Sequence, residues 1–279
     1  MFHAPWLDGA LPRCPVPMVV TVHDVSQLKR RGEYLRLMLR FKLRVLAVQR
    51  AARVIVPTVA VAGEVEAVLD VEPGRIVVIP EAPAAALHTR SAEEVHAVRD
   101  RFSLPERYLV WVGAMQTPEP RKRIAALART ARSMPLVLVG PTAPWAHELP
   151  DVKLTGAVSD DELAAIYTGA HALVFPSDDE GFGLPPVEAL ACGTPVVASD
   201  VPALREVLDG RATLSAVDDI EGLVAAAESA ERPAPPPPAW TWEDAAQATW
   251  RVYCEAVGET GLCQIARPKH RAAALVKDA

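Results

Sequence analysis

Short runs of aliphatic and β-branched residues recur along the chain and alternate with segments of helical periodicity. Strand patterns that alternate with helical patterns are typical of βαβ units and therefore of an α/β protein. The runs are apolar on both faces, which predicts parallel strands covered by helices on both sides. The predicted strands are 17–24, 53–58 and 75–81 in the first part of the chain, and 108–114, 135–141, 152–158, 171–177, 194–200 and 212–217 in the second.

The two parts of the chain contain different fractions of a Rossmann-type sheet. The six predicted strands of the second part complete a doubly wound domain, whereas the three of the first part do not. We therefore predict a partial N-terminal Rossmann-like domain at 1–100 and a complete Rossmann-like domain at 101–239. The boundary is expected within 83–107, where the strand signals vanish.

The C-terminal part of the chain carries a proline-rich segment, RPAPPPPAW at 232–240. This composition predicts a stiff polyproline spacer, which we favour over a ligand for an SH3-type domain. The spacer leads to a crossover helix at 240–258. Residues 259–279 have little apolar pattern, so we expect a flexible tail there.

Composition and charge exclude several classes of function. The chain is 50% hydrophobic and 23% charged, which is typical of a globular protein. A formal net charge of -6 and an aromatic content of 5% argue against nucleic-acid binding. Neither a signal peptide nor a membrane span is predicted, so we expect a cytoplasmic protein. No disulfide framework or zinc site is predicted either, because no C-x-x-C pair or histidine cluster accompanies the cysteines, which are Cys14, Cys192, Cys254 and Cys263.

The tetrapeptide SDDE occurs twice, at 159–162 and at 177–180, in two different contexts. The first copy precedes an apolar-periodic run, and the spacing of Ser159 and Glu162 predicts a capping box at the start of a helix. After the second copy, Gly181 and Gly183 fall where the first helical turn would be. The sequence there predicts a glycine loop and then a short helix, whose N-terminal amides can bind phosphate.

Proline and acidic residues define the rest of this second context. Pro185 and Pro186 suit the first positions of the short helix, and Gly193 is expected to end it. Glu180 is predicted on the loop at the carboxyl edge of the sheet, where α/β proteins bind ligands. Glu188 is predicted in the first helical turn, where it could bind ribose hydroxyls or complement the helix dipole; the sequence leaves both interpretations open.

The segment EGFGLPPVEALACGTPVVAS resembles the donor-binding signature of glycosyltransferase family 4, whose members are retaining enzymes of the GT-B fold. The resemblance extends to VTVHDVSQL and ARVIVPTVAVAGEV in the first part of the chain, and to VGAMQTPEPRK, TGAVSDDELAAIYTGAHALVFPS and WTWEDAA in the second. These blocks in this order imply a GT-B-like α/β fold that holds a nucleotide diphosphate sugar in its second domain.

The resemblance also implies a role for individual residues around the donor. Glu180 corresponds to the acid that contacts the donor sugar, and Glu188 to the acid that binds the ribose. The main chain of the glycine loop would face the sugar and the diphosphate. The implied donor-binding residues are Gly181, Phe182, Gly183, Leu184, Glu188 and Val158.

Two cations and a histidine complete the implied site. Arg121 and Lys122 match the pair that neutralises the diphosphate, in the branch that reads EPRKN; here Arg123 replaces the Asn. A solvated basic turn is the alternative for these residues. His23 matches a histidine that faces the donor sugar, with a hydrogen-bonded histidine at a strand end as the alternative. The resemblance implies metal-independent catalysis, so we predict no metal site and no cofactor.

The function implied is a retaining transfer of a sugar from a nucleotide diphosphate sugar to an acceptor that the sequence does not identify. The EPRK branch includes mannosyltransferases, which makes GDP-mannose the first candidate donor. A front-face route and a double displacement fit equally well. The alternative is a non-catalytic or partner-dependent donor-binding subunit derived from such an enzyme.

The resemblance to the family begins late, because relatives have further strands before the segment that matches FHAPW. We expect a three-stranded remnant with an apolar edge that invites association. A wrongly assigned start codon, a degenerate protein and a subunit completed by a partner are the three explanations, and we favour the first. Arg36, Arg40 and Arg44 form a basic stripe. A solvated helix is favoured there over peripheral contact with the inner membrane face.

Overall fold

The computed structural model describes residues 1–26 and 38–258. Two parallel sheets with helices packed on their faces form an α/β structure. The predicted tail at 259–279 and Arg36 of the predicted basic stripe lie outside the described residues. Of that stripe, the side chain of Arg44 is described, and it forms an ion pair with Asp8 at 2.9 Å.

The first sheet has four strands, in the order β1-β2-β3-β4. The prediction of three strands was therefore wrong, because β1 was missed. This strand has only three residues, FHA, and none of them is β-branched, so it forms by pairing alongside β2 and not by local preference. The strands are β1 (Phe2–Ala4), β2 (Met18–Thr21), β3 (Arg53–Val56) and β4 (Ile76–Val78).

The second sheet contains all six strands that the sequence predicted, in the order β10-β9-β8-β5-β6-β7. The direction in which successive strands are added reverses between β5 and β8, which makes this gap the topological switch point of a doubly wound sheet. The strands are β5 (Leu109–Val112), β6 (Leu136–Val139), β7 (Val152–Gly156), β8 (Ala172–Phe175), β9 (Val196–Ser199) and β10 (Thr213–Ser215).

Helices cover both sheets, and short 3-10 turns lie at Leu7–Gly9, Pro73–Arg75, Pro120–Lys122 and Pro144–Glu148. Within the described ranges, no helix is long and apolar enough to cross a membrane. The helices are α1 (Met38–Gln49), α2 (Val59–Leu69), α3 (Ala92–Phe102), α4 (Ile124–Arg129), α5 (Asp160–Gly169), α6 (Leu184–Ala191), α7 (Pro202–Leu208), α8 (Ile220–Glu228) and α9 (Trp242–Val257).

The predicted capping box starts helix α5. Ser159 Oγ accepts a hydrogen bond from the Glu162 amide at 3.3 Å, and the Glu162 carboxylate accepts one from the Ser159 amide at 2.8 Å. The first copy of SDDE is therefore a helix start, as the sequence predicted.

Each sheet and the helices packed on it form one unit of the protein. Two helices, α3 and α9, show which parts of the chain belong to which unit. Helix α3 packs against α5, and Arg90 just before it forms an ion pair with Asp161 at 2.6 Å. Helix α9 returns to the first sheet, where Val252 is buried against Val19 and Ile55. The last described helix is therefore part of the packing of the first sheet, although it follows the second along the chain.

Candidate functional site

The loops that follow β5 and β8 meet at the switch point of the second sheet. The first of these loops carries Arg121, and the second carries Glu180. The Asp178 amide donates a hydrogen bond to the Arg121 carbonyl oxygen at 2.9 Å, so the two loops are joined through their main chains. The resulting crevice is the position at which doubly wound sheets bind ligands.

The Arg121 guanidinium is surrounded by three carboxylates. It lies 3.4 Å from Glu180 Oε2, 3.1 Å from Glu119 Oε2 and 3.9 Å from Asp24 Oδ2. Burial acts to lower the pKa of Arg121, but the three carboxylates outweigh it and raise that pKa. Asp24 belongs to the first sheet's unit, so Arg121 links the two halves of the cleft electrostatically.

Glu180 is the buried member of this group, with its side chain 12% exposed. Burial raises the pKa of Glu180, and the neighbouring Arg121 charge works against that shift. A carboxylate held in this way stays ionised only while a cation or hydrogen-bond donors remain beside it. The protonation state of Glu180 therefore depends on the ligand that occupies the crevice.

Lys122 lies beside β5 and does not belong to the cluster of carboxylates around Arg121. Its Nζ is 5.9 Å from the centroid of the Trp111 ring, which places a cation over an aromatic face. The structure thus brings Arg121 into direct contact with Glu180 but keeps Lys122 on the strand side of the crevice. Both cations remain at the carboxyl edge of β5.

The glycine loop leads into helix α6 as predicted, with Gly183 at φ +91 and the two prolines at the first helical positions. Gly181 has a further constraint. A Cβ atom at this position would lie 1.8 Å from the His23 carbonyl oxygen. Gly181 is therefore required for the close approach of the two halves of the cleft, a reason that the sequence did not reveal.

Two of the predicted donor-binding residues contribute little side chain to the crevice. Phe182 is buried and its ring packs 5.8 Å from that of Trp240, so the residue can offer a ligand only its main chain. Val158 is half-buried against the core on the loop between β7 and α5, at the same edge of the sheet. Because β7 is an outer strand, Val158 lies two strands away from β5.

The prediction that Glu188 lies in the first turn of the helix was wrong. Helix α6 begins at Leu184, which leaves Glu188 as its fifth residue, and the first turn contains no acid. The reason is that Gly183 caps the helix in a left-handed conformation immediately before Leu184. The interpretation of Glu188 as a first-turn acid that complements the dipole therefore fails.

Glu188 is instead bound to a buried tyrosine. The Tyr167 hydroxyl donates a hydrogen bond to Glu188 Oε2 at 3.2 Å. Burial raises the pKa of Glu188 to about 7, although the tyrosine bond opposes that shift. Tyr167 escaped the sequence analysis because it looked like an ordinary apolar position of α5.

His23 lies two residues past the end of β2 and forms two hydrogen bonds. Its Nδ1 is 2.7 Å from Glu81 Oε1, and its Nε2 is 3.0 Å from the Pro5 carbonyl oxygen. The hydrogen bond to Glu81 raises the pKa of His23 above its ordinary value, against the effect of burial. Glu81 was missed, although the sequence VVIPE places an acid just past a strand end, as VFPSDDE does for Glu180.

Asp24, next to His23, orders the start of the following segment. Its Oδ1 accepts hydrogen bonds from the Ser26 amide at 3.0 Å and from the Ser26 hydroxyl at 2.5 Å. These contacts give Asp24 an orienting role for the main chain that follows His23.

Direct hydrogen bonds close the cleft between the two units. The Thr58 hydroxyl donates to the Gly181 carbonyl oxygen at 2.9 Å. The Glu206 carboxylate of α7 accepts hydrogen bonds from the Val59 amide at 2.8 Å and the Ala60 amide at 3.0 Å, which are the first amides of α2. Within residues 1–26 and 38–258, no three His, Cys, Asp or Glu side chains are grouped so that they could hold a metal ion.

Comparisons with known proteins match both halves of the chain. A family described as Glycosyltransferase Family 4 matches residues 1–82, and one described as Glycosyl transferases group 1 matches residues 106–231. Among solved structures, HepE of Anabaena in complex with UDP has a TM-score of 0.61 at 19% identity, over 87% of this chain and 66% of HepE. WaaG, a glycosyltransferase involved in lipopolysaccharide biosynthesis, has a TM-score of 0.62 at 16% identity, over 88% of this chain and 78% of WaaG.

Curated relatives are more similar in sequence. The O-antigen chain mannosyltransferase RfbU of Salmonella typhimurium is 29% identical over 228 residues, which cover 76% of this chain and 60% of RfbU. The serotype-specific mannosyltransferase WbdA of Escherichia coli is 29% identical over 233 residues, 74% of this chain and 28% of WbdA. The D-inositol 3-phosphate glycosyltransferase of Salinispora tropica is 32% identical over 237 residues, 72% of this chain and 49% of that protein. The chain spans less than two thirds of the length of these relatives.

Two parallel sheets whose carboxyl edges face one cleft, with the C-terminal helix returned to the first sheet, define a protein of the GT-B class. The chain belongs to glycosyltransferase family 4, as its signature segments indicated. The mannosyltransferases among its relatives are consistent with the branch that the EPRK segment suggested.

Proposed function

We propose that the chain binds a nucleotide diphosphate sugar at the switch point of the second sheet and transfers the glycosyl group to an acceptor with retention of configuration. The observation that carries the proposal is the position of Arg121 between Glu180 and Asp24, at the same edge as the glycine loop. The names of the relatives and the UDP complex of HepE support the reaction class.

Arg121 and Lys122 serve the leaving group in this proposal. Charge accumulates on the diphosphate as the glycosidic bond breaks, and preorganised cations and amides stabilise that charge in the transition state. The carboxylates around Arg121 hold the guanidinium in place before the donor arrives. Charge-assisted bonds to phosphate oxygens then add to these contacts, each contributing about 1.5–3 kcal/mol.

The two acids of the signature take up hydroxyl groups. Glu180, next to Arg121, accepts hydrogen bonds from the donor sugar, and Glu188 accepts them from the ribose. Glu188 has a pKa of about 7 because it is buried, so its acceptor strength increases as pH rises through neutrality. The bond from Tyr167 fixes one of its oxygens and leaves the other for the ribose.

We propose a front-face route for the transfer. The bond from the anomeric carbon to the phosphate oxygen breaks while the bond to the acceptor oxygen forms on the same face. The acceptor proton passes to the departing phosphate oxygen, and the nucleoside diphosphate leaves. This route needs no protein base, and it assigns Glu188 a binding role and not the nucleophilic role of a glycoside hydrolase carboxylate.

GDP-mannose is the first donor to test, because two of the relatives are named mannosyltransferases. Calorimetry with GDP-, UDP-, ADP- and dTDP-linked sugars, and with the free nucleotides, should identify one donor that binds saturably. Arg121→Ala should weaken that binding by about tenfold or more, the equivalent of one charge-assisted bond. The control is Arg129→Ala, which removes the same side chain from an exposed position of α4 and should leave binding unchanged.

Turnover is tested separately, with the bound donor and a panel of glycan and lipid acceptors. Transfer that is lost in Glu180→Ala supports the enzyme. Saturable binding without hydrolysis or transfer would instead favour the donor-binding subunit. Absence of heat with every donor and nucleotide would overturn the proposed site itself.

A further inference from the structure

Both ring nitrogens of His23 face groups that accept hydrogen bonds. Nδ1 lies 2.7 Å from a carboxylate oxygen of Glu81, and Nε2 lies 3.0 Å from the main-chain carbonyl oxygen of Pro5. A neutral imidazole carries one N–H and can satisfy only one of these acceptors. An imidazolium carries two and satisfies both, so the surroundings of the ring match its protonated form.

We propose that Glu81 is a positioning residue that holds His23 as an imidazolium at the edge of the cleft, so that His23 acts there as a hydrogen-bond donor and a positive charge and not as a base. The proposal rests on the proposed function for its role in transfer, but the protonation state of the ring can be tested without it.

The burial of the two side chains fits this division of roles. The Glu81 side chain is 14% exposed, whereas that of His23 is 40% exposed. The carboxylate is therefore the more buried member of the pair, and the ring is the member that is more open to a ligand. The pair also lines a cavity of about 150 Å³, together with Thr21 and Trp242.

The two hydrogen bonds of the ring differ, and the one at Nε2 can be exchanged for a bond to a ligand. The Nδ1 bond is short and ends on a half-buried carboxylate, and the Nε2 bond is longer and exposed. A hydroxyl or phosphate oxygen of a ligand can therefore take the place of the Pro5 carbonyl without disturbing Glu81. The main-chain carbonyl of His23 abuts Gly181, so the main chain that carries the ring adjoins the donor loop.

The other charged groups around the ring either raise the pKa of His23, as Glu81 does, or are paired with an opposite charge. Asp24 adds to the effect of Glu81 and raises the pKa of His23. His3, on β1, has a pKa lowered by burial and then by the charge of His23, so it stays neutral. Arg121 approaches Asp24 at 3.9 Å and is itself balanced by Glu180 and Glu119. The Trp6 ring packs 5.2 Å from the imidazole and contributes no charge.

Nuclear magnetic resonance of the 15N-labelled chain tests the proposal directly, because the imidazole nitrogen shifts distinguish the doubly protonated ring from either neutral tautomer. His23→Gln assigns the signal. In the wild type, the ring should remain doubly protonated at pH values above its ordinary pKa of about 6.5. Glu81→Gln should shift the titration to lower pH, and Glu81→Asp should restore part of the difference.

Glu72→Gln is the matched control, because Glu72 is an exposed acid on the connection that leads into β4. It should leave the His23 titration unchanged. A wild-type ring that carries a single proton at pH 6.5 would overturn the proposal, and so would a titration that Glu81→Gln does not move. If Glu81→Gln does not fold, the titration of His23 in the wild type alone decides whether the proposal stands.

The pH dependence of transfer provides the second measurement. Transfer by the wild type should decline at high pH as His23 loses its proton, and Glu81→Gln should move that decline to lower pH. A role of Glu81 in folding alone would lower activity equally at every pH and would count against the proposal. Lack of donor binding in calorimetry would refute the proposed function, while the imidazole titration would still decide the state of the ring.

Discussion

The side-chain hydroxyl of Thr58 donates a hydrogen bond to the main-chain carbonyl oxygen of Gly181, at 2.9 Å. The Thr58 hydroxyl oxygen also accepts a hydrogen bond from the Val61 amide at 3.1 Å and so caps helix α2. One buried hydroxyl therefore starts a helix of the first unit and fixes the donor loop of the second. Folding stability and the geometry of the cleft depend on the same atom.

Thr58→Ala should lower the free energy of unfolding by about 1–3 kcal/mol, because it removes a cap and leaves the Gly181 carbonyl without its side-chain donor. It should also weaken donor binding, whereas Thr58→Ser keeps the hydroxyl and should behave like the wild type. Denaturant unfolding and calorimetry measure the two effects. The control is Thr241→Ala, which removes the cap of α9 and the hydrogen bond from the Thr241 hydroxyl to the Asp244 carboxylate, and it should reduce stability without changing donor affinity.

Gly181→Ala should disrupt the cleft, because the added methyl group would lie 1.8 Å from the His23 carbonyl oxygen and the main chain must move. We expect a loss of donor binding of at least tenfold, measured by calorimetry. Gly63→Ala is the control within helix α2, where an added Cβ meets nothing within 4 Å. That change should stabilise the protein by about 0.5–1 kcal/mol. If Gly181→Ala and Gly63→Ala bound the donor equally well, the close contact between Gly181 and the His23 carbonyl oxygen would be refuted.

Glu188 should make stability depend on pH below neutrality. Its folded-state pKa is raised from 4.5 to about 7, so its contribution is fully present below pH 4.5 and is lost as pH rises to about 7. Relative to Glu188→Gln, the wild type should lose up to about 3 kcal/mol of unfolding free energy over this interval. Denaturant unfolding at a series of pH values tests this, and a difference that does not vary with pH would refute it.

Glu206→Ala should weaken the contact between the two units. The carboxylate binds the first two amides of α2 from α7, and removal of such a cap costs about 1 kcal/mol. Glu206→Gln keeps one acceptor oxygen and should lose less. The contact would be irrelevant in solution if both variants unfolded at the same denaturant concentration as the wild type.

The second sheet could be read from the sequence because its four inner strands are mainly apolar runs between clear breaks, although the outer strands β7 and β10 carry polar residues. Strand β1 could not, because three residues without a β-branched side chain carry no pattern and depend on their partner strand. The position of Glu188 was misjudged for a local reason, since the sequence did not show that Gly183 would adopt a left-handed conformation.

The composition of the crevice was only partly predictable. The signature placed Glu180 and Arg121 in one site, and the structure brings them into contact. Glu81 and Tyr167 were not anticipated, because their contacts with His23 and Glu188 join residues 58 and 21 positions apart. Such pairings follow from the order of the strands and from helix packing, which no local pattern encodes.

Within residues 38–258, the chain passes from one sheet to the other twice, between β4 and α3 and again between α8 and α9. The two halves of the cleft are therefore joined by two stretches of main chain, and the Thr58 and Glu206 hydrogen bonds are the further contacts that any opening of the cleft would break.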